Sequence, residues 1–216
     1  PIRLSRLAPP FPPTETTMKF VRFLSAALCF PACVLTAHAQ TSLALSAYGA
    51  FSGSTSGNGT VQSPSNSAGG LIELRHISNP LIGYEATYSF NRANQSYTSC
   101  VTQNTNCVST SVAANAHEIT GDWIVSVHLA NLRPFALAGA GLLIDQPTSG
   151  QSDTSTETKP VYVYGAGLDW GVLPHLGLRF QYRGNLYKAP NLARLYTSTD
   201  RFTQTAEPMI GAYFNF

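Results

Sequence analysis

The clearest pattern in the chain is an alternation of apolar and polar residues with a period of two. Between Ile82 and Phe90, the even positions are apolar and the odd positions are Gly, Glu, Thr and Ser. Residues 176–183 and 210–216 repeat the pattern. Neighbouring side chains of a strand point to opposite sides, so this period predicts β-strands with one apolar and one polar face.

The same periodicity, followed along the chain, predicts eight strands. They cover residues 42–53, 69–77, 81–92, 112–127, 133–144, 160–171, 176–188 and 204–216. Each is long enough for the roughly 9–11 residues that a tilted strand needs to cross a bilayer. Residues 133–144 alternate least regularly, because they are rich in Ala and Gly.

The predicted connections alternate between short and long. The short ones are 78–80, 128–132 and 172–175, and the long, polar ones are 54–68, 93–111, 145–159 and 189–203. Successive connections of an antiparallel sheet lie at opposite ends, so one end has only tight turns. This asymmetry is typical of outer-membrane barrels. The predicted fold is therefore all-β, an eight-stranded antiparallel up-and-down transmembrane β-barrel, closed so that every backbone group is paired.

Charged residues of the predicted strands share the face opposite the large apolar side chains. The predicted interior network is Glu73, Arg75, Glu85, Glu118, Asp122, Asp169, Arg179, Arg183 and Glu207. A turn centred on Pro174 sets Asp169 opposite Arg179, where opposite charges stabilise each other. Six acids face three arginines, so we expect water or protonated carboxyl groups to cover the excess.

Outward aromatic residues are predicted to form two belts at the membrane interfaces. The belt near the short turns contains Tyr84, Trp123, Trp170, Phe214 and Phe216. The belt near the long loops contains Phe51, Phe90 and Tyr162.

Residues 18–39 have the three parts of a secretory signal peptide. A basic segment at 18–22 is followed by a mostly apolar run at 23–35, and Ala37 and Ala39 form a small-x-small cleavage site before Gln40. A buried N-terminal helix and a lipoprotein anchored through Cys33 are the alternatives. Residues 1–17 are interpreted as upstream sequence or a disordered lead, and residues 40–216 as the barrel domain.

Composition argues against a soluble or nucleic-acid-binding domain. Only 11% of the residues are charged, against about 25% in an ordinary soluble domain. Four of the 13 basic and one of the 11 acidic residues precede Gln40, which leaves nine and ten. Without a Lys/Arg cluster, nucleic-acid binding has no electrostatic support.

Cys100 and Cys107 lie close together in a polar segment and are expected to form a disulfide, because an exported chain meets an oxidising compartment. No second cysteine pair or histidine cluster accompanies them, so we expect no metal site. We also expect no cofactor.

Together, these features resemble the eight-stranded OmpA-type and OmpX-type outer-membrane β-barrels, over about residues 41–216. The most specific part is the C-terminus, where Gly211, Phe214 and Phe216 are similar to the terminal-aromatic signal that the family's assembly machinery recognises. The Gly-x-Gly repeats at 139–141 and 165–167 are also similar. The resemblance implies a monomer in the bacterial outer membrane that contacts its lipid. We also expect no OmpA-type peptidoglycan-binding domain after the barrel, because the given sequence ends with the last strand.

The leading functional hypothesis is a structural or surface-interaction barrel without catalysis. A narrow passive pore is the second, although eight strands leave little lumen. A lipid A-modifying enzyme is the third. His76 and Ser78 resemble the His-x-Ser of lipid A deacylases, but they lie at a short turn, and His117 and Glu118 point to opposite faces. A soluble lipocalin-type barrel, the fourth, requires the reverse alternation.

Overall fold

The structure, a computed structural model, describes residues 40–79, 81–102, 105–148 and 153–216. The strands are β1 Gln40–Ser52, β2 Thr55–Gly57, β3 Thr60–Pro64, β4 Ser67–Ile77, β5 Ile82–Thr102, β6 Thr105–Ser126, β7 Leu132–Pro147, β8 Glu157–Gly171, β9 Leu176–Lys188 and β10 Phe202–Asn215. The predicted lead at 1–17, the predicted signal peptide at 18–39 and the alternatives to it lie outside the described residues. Within the described part, no helix is long and apolar enough to cross a membrane.

Eight of the strands close into an antiparallel barrel. Their order is β5-β4-β1-β10-β9-β8-β7-β6, and β6 pairs with β5 to complete the ring. The first and last strands join along most of their length, with Leu43 opposite Phe214. Every barrel strand thus has a partner on both sides, as hydrocarbon requires. The predicted eight-stranded up-and-down barrel is confirmed.

The barrel has a turn end and a loop end. The turn end carries the connections at residues 78–81, 127–131 and 172–175, and the long connections lie at the opposite loop end. The predicted register of the third hairpin is confirmed, because Asp169 pairs with Arg179 across β8 and β9.

The prediction was wrong about the loop at 93–111. Most of this segment continues β5 and β6 as a paired hairpin that extends past the barrel, through Cys100 opposite Cys107. A strand pair that projects beyond the barrel needs no apolar outer face, so its Ser-, Thr- and Asn-rich sequence lacks the alternation that reveals strands.

The predicted loop at 54–68 also contains a hairpin. β2 and β3 pair with each other, and β3 then pairs with β5. Asn58 and Gly59 form the turn with positive φ angles of 52° and 76°. Asn-Gly favours such hairpin turns because both residues adopt these angles easily. This dipeptide was the signal that the sequence prediction missed.

The irregular alternation of β7 reflects close packing against β6. Gly139 pairs with Asp122 and Gly141 pairs with Thr120. A Cβ atom at Gly139 would overlap the Asp122 side chain and the backbone, and one at Gly141 would overlap the backbone around Ile119. Glycine therefore lets the barrel wall close at this point.

We predict that Gly139→Ala lowers the free energy of unfolding by about 1–3 kcal/mol, because the added methyl overpacks the wall. The control is Gly121→Ala on the neighbouring strand, where a Cβ atom would meet nothing within 4 Å. Urea unfolding of the folded barrel in lipid vesicles measures both variants. Equal unfolding midpoints for the two variants would contradict this account.

Candidate functional site

The barrel interior is polar and nearly sealed from solvent. The nine residues predicted to face inward are each exposed by 5% or less: Glu73, Arg75, Glu85, Glu118, Asp122, Asp169, Arg179, Arg183 and Glu207. The structure brings eight of them into two ion clusters and leaves Glu207 outside both.

The turn-side cluster joins Glu73, Arg75, Glu85, Asp169 and Arg179. Arg75 donates to Glu85 Oε2 (2.8 Å) and to Asp169 Oδ2 (3.0 Å). Arg179 forms a two-pronged contact with Asp169 at 2.7 and 3.0 Å and also bonds Glu73. Two-pronged Arg–carboxylate pairs are among the strongest and most directional hydrogen bonds in proteins. This cluster cross-links β4, β5, β8 and β9 across the interior.

An aromatic ring supports the turn-side cluster from β7. The guanidinium carbon of Arg75 lies 4.0 Å from the centroid of the Phe135 ring. This distance allows a cation–π contact, which is strengthened where water is excluded. Phe135 thus packs against the buried guanidinium of Arg75.

The loop-side cluster has one cation, Arg183, with Glu118 and Asp122. Arg183 Nη2 lies 3.2 Å from Glu118 Oε1, and Arg183 Nη1 lies 3.4 Å from Asp122 Oδ2. The guanidinium also donates to the hydroxyls of Thr87 (3.3 Å) and Thr120 (3.1 Å). Thr87 and Thr120 bond each other at 2.7 Å.

Asp145 is a further interior acid that the sequence prediction assigned to a loop. Its exposed fraction is 3%. Among the described residues, Asp145 Oδ2 and Glu207 Oε2 have no hydrogen-bond partner. The alternation along β7 already indicated this position. Asp145 lies two residues after the inward-facing Leu143, and residues two apart in a strand point to the same side.

The loop-side half of the interior therefore holds excess negative charge. In the described part of the chain, this half has four buried carboxylates, of Glu118, Asp122, Asp145 and Glu207, and one buried cation, Arg183, which pairs with the first two. A cavity of about 30 Å³ beside three of them has space for one or two water molecules. Water or shared protons must offset this excess, because an unpaired buried carboxylate is costly.

The connection at 189–201, here called the cap, packs on the inner face of the projecting hairpin. Tyr97 Oη donates to Pro190 O (2.8 Å) and accepts from Leu192 N (3.0 Å). The buried apolar group contains Tyr97, Val112, Ala114, Leu192, Ala193 and Tyr196. Burial raises the pKa of the Tyr97 hydroxyl, which keeps its donor proton. Because the hairpin residues in this group face inward, the cap lies over the mouth of the barrel.

The cap also bonds to the other loop-end segments. Asn58, in the turn of the β2–β3 hairpin, donates to Ser198 O of the cap (2.8 Å). Ser155 N, in the segment before β8, donates to Leu192 O of the cap (3.1 Å). The predicted Cys100–Cys107 disulfide closes the tip of the β5–β6 hairpin. The loop end is thus a packed layer of connected segments.

The predicted belt residues all point outward. Tyr84, Trp123, Trp170, Phe214, Phe216, Phe51, Phe90 and Tyr162 are each at least 36% exposed. The rings of Phe214 and Phe216 meet edge to face at 5.4 Å. Gly211 pairs with Ser46, and a Cβ atom there would overlap Ser46. The role of these aromatic residues as interfacial belts stays a prediction. The role of Gly211, Phe214 and Phe216 as an assembly signal also stays a prediction.

The two histidine motifs do not assemble catalytic pairs. His76 Nδ1 lies 3.0 Å from Thr41 Oγ1, whereas Ser78 is exposed in the turn. His117 lies against Phe90 and Tyr88 on the outward side, while Glu118 is buried inside. No group of three His, Cys, Asp or Glu residues in the described ranges has an arrangement that could hold a metal ion.

The chain matches the family described as "Outer membrane protein beta-barrel domain" over residues 25–206. The protein belongs to the outer membrane β-barrel family. Membership, together with the closed barrel, confirms the predicted location in the bacterial outer membrane. The exposed apolar surface of this family member therefore faces lipid. No curated protein sequence shows significant similarity to it.

Solved structures include several similar barrels that cover 83% of this chain and 100% of their own. Neisserial surface protein A is 16% identical with a TM-score of 0.55. Ail of Yersinia pestis, solved with the heparin analogue sucrose octasulfate, is 18% identical with a TM-score of 0.49. The N-terminal barrel domain of Pseudomonas aeruginosa OprF is 17% identical with a TM-score of 0.44. At 16% identity, the likeness to neisserial surface protein A supports the fold of this protein and no statement about its role.

We predict that Arg183→Met lowers the free energy of unfolding by about 3–5 kcal/mol, because it leaves buried carboxylates without their cation. Arg201→Met, at an exposed position of the cap, is the control and should change little. Adding Glu118→Gln and Asp122→Asn to Arg183→Met should restore part of the loss. Urea unfolding in vesicles measures all variants, and an unchanged midpoint for Arg183→Met would refute the role of Arg183.

Proposed function

We propose that the protein is a structural or surface-interaction barrel without catalysis, which presents its loop end outside the cell. The observation that carries this proposal is the cap, which lies over the barrel mouth and packs against the hairpin through Tyr97 and Leu192. Barrels of this kind place short turns in the periplasm and longer loops outside. A loop layer with its own buried core offers a defined surface to a partner.

The exposed part of this loop layer includes apolar side chains. Leu195 of the cap is 78% exposed, Val108 of β6 is 63% exposed and Val61 of β3 is 45% exposed. Side chains of this kind add contact area when a partner covers them. They support a surface-interaction role, for which the partner stays open.

The interior argues against a passive pore as the main role. The arginines of both ion clusters are buried and bridge opposite parts of the wall. An eight-stranded barrel has an interior that side chains fill. A solute that entered from the loop end would therefore meet first the cap and then the ion clusters, and both obstruct passage through the barrel.

Planar-bilayer recording tests this closure. We expect no unitary conductance steps from the purified protein, and also none from a variant in which residues 190–200 are replaced by a short Gly-Ser linker, because the ion clusters still fill the barrel. Reproducible steps from the unaltered protein would establish the pore alternative.

We predict that Tyr97→Phe loosens the cap, because it removes two hydrogen bonds. At about 1 kcal/mol for each bond, trypsin cleavage after Arg194 should become roughly ten- to thirtyfold faster. Tyr88→Phe is the control, since its hydroxyl bonds His117 on the outer wall instead. Gel analysis of intact cells follows the cleavage. The same rate in Tyr97→Phe as in the unaltered protein would count against a packed cap.

We also propose that Gly211, Phe214 and Phe216 form the signal for the assembly machinery. Phe214 and Phe216 lie on the outer face at the end of β10, which closes the barrel against β1. Phe216→Ser should lower the folded fraction in the outer membrane several-fold, as measured by heat-modifiability on denaturing gels. Phe202→Ser, at the other end of β10, is the control and should fold normally. Equal folded fractions would contradict the proposal.

A further inference from the structure

A cavity of about 290 Å³ opens into the barrel interior from the turn end. Its rim includes the exposed turn residues His128, Asn131 and Pro174, and its floor includes Arg75 and Asp169 of the turn-side cluster. The volume is close to the lower limit of small-molecule sites, which measure about 300–1,000 Å³. Because the ion clusters fill the barrel behind this floor, a molecule that enters here is held and does not pass through.

The charged side chains around this cavity favour an anion. In the described part of the chain, those that line it are Arg75, Arg133 and Asp169, whereas Glu73 and Glu85 do not line it. Two cations and one carboxylate therefore face the space. This balance is the reverse of that in the loop-side half of the interior, where acids are in excess. A concave wall with an excess of one sign of charge attracts ligands of the opposite sign.

Arg133 lies beside a carboxylate that other arginines already use. It is directly opposite Asp169 in the register of β7 and β8. Asp169 Oδ1 accepts from Arg179, and Asp169 Oδ2 accepts from Arg75 and Arg179. Among the described residues, no carboxylate oxygen lies within 4.0 Å of the Arg133 guanidinium, which donates to His128 Nδ1 at 3.3 Å. Since a guanidinium has five N–H donors, Arg133 has donors left for a ligand.

Neutral polar groups and apolar side chains complete the wall of the cavity. The amide groups of Gln40 and Asn131 and the side chain of Tyr213 line it, and Ile77 and Leu173 add apolar surface. The planar fork of an arginine matches the paired oxygens of a carboxylate or a phosphate group. The cavity therefore suits a small organic molecule that has one such group and a short apolar part.

We propose that the turn-end cavity binds a small organic anion, with Arg133 donating two hydrogen bonds to its carboxylate or phosphate group and Leu173 contacting its apolar part. The orientation proposed above turns this mouth toward the periplasm, so the ligand comes from that compartment. This binding site goes beyond the surface-interaction role, which concerns the opposite end of the barrel.

Backbone amide NMR of the folded protein in phospholipid nanodiscs tests the proposal. Gly171 and Tyr213 line the cavity, and their amide signals serve as reporters in every variant. The probes are butyrate, inorganic phosphate and propylammonium, which shares the propyl chain of butyrate and carries the opposite charge. Arg133→Gln removes the cation from the cavity. Arg201→Gln, at an exposed position of the cap, is the matched control.

We expect both reporter signals to shift saturably with butyrate or with phosphate, and not with propylammonium. The anion that binds identifies the group that the ligand carries. Arg133→Gln should weaken this binding at least about tenfold, because it removes a charge-assisted pair of hydrogen bonds. Arg201→Gln should leave the affinity unchanged.

Heat-modifiability verifies that each protein is folded. If Arg133→Gln fails to fold, Arg133→Lys takes its place and should weaken the binding several-fold, because lysine keeps the charge but lacks the planar fork. The absence of a saturable shift with either anion would overturn the proposal. An equal shift with propylammonium, or an unchanged affinity in the Arg133 variant, would also overturn it.

Discussion

The need to pair every backbone group in hydrocarbon governs this structure. Closure of β1 against β10 and of β5 against β6 meets that need. Once the ring is closed, one face of each strand contacts lipid, and the other faces a narrow interior. Charged side chains of the wall then have one place to go, which explains why residues as large as Arg75, Arg179 and Arg183 are fully buried.

Burial of so much charge shapes the rest of the interior. Arg179 uses its planar guanidinium to bond two carboxylates at once, which a lysine could not match in geometry. Gly139 leaves room beside Asp122 on the adjacent strand. Gly139 of β7 and Asp122 of β6 therefore belong together, because a residue without a side chain leaves the space that the buried carboxylate occupies.

The sequence was informative where one face of a strand meets lipid and uninformative where both faces leave the membrane. Ile82 to Phe90 alternates cleanly because the hydrocarbon selects each second residue, and the register of Asp169 with Arg179 followed from the short turn. The continuation of β5 to Thr102 was hidden, because the same strand above Arg92 meets no hydrocarbon. The packing of Tyr97 on Leu192 joins segments 95 residues apart, and no local pattern encodes such a contact.

The balance of buried charge differs between the two ends of the barrel, as the length of the connections does. The turn-side cluster offsets three acids with two arginines, and Arg133 lies beside Asp169 in the register of β7 and β8. The excess acids Asp145 and Glu207 lie instead at the loop end, next to a cavity with space for water. A carboxylate costs less where a water molecule can bond it, so this cavity lies where the unpaired acids need it.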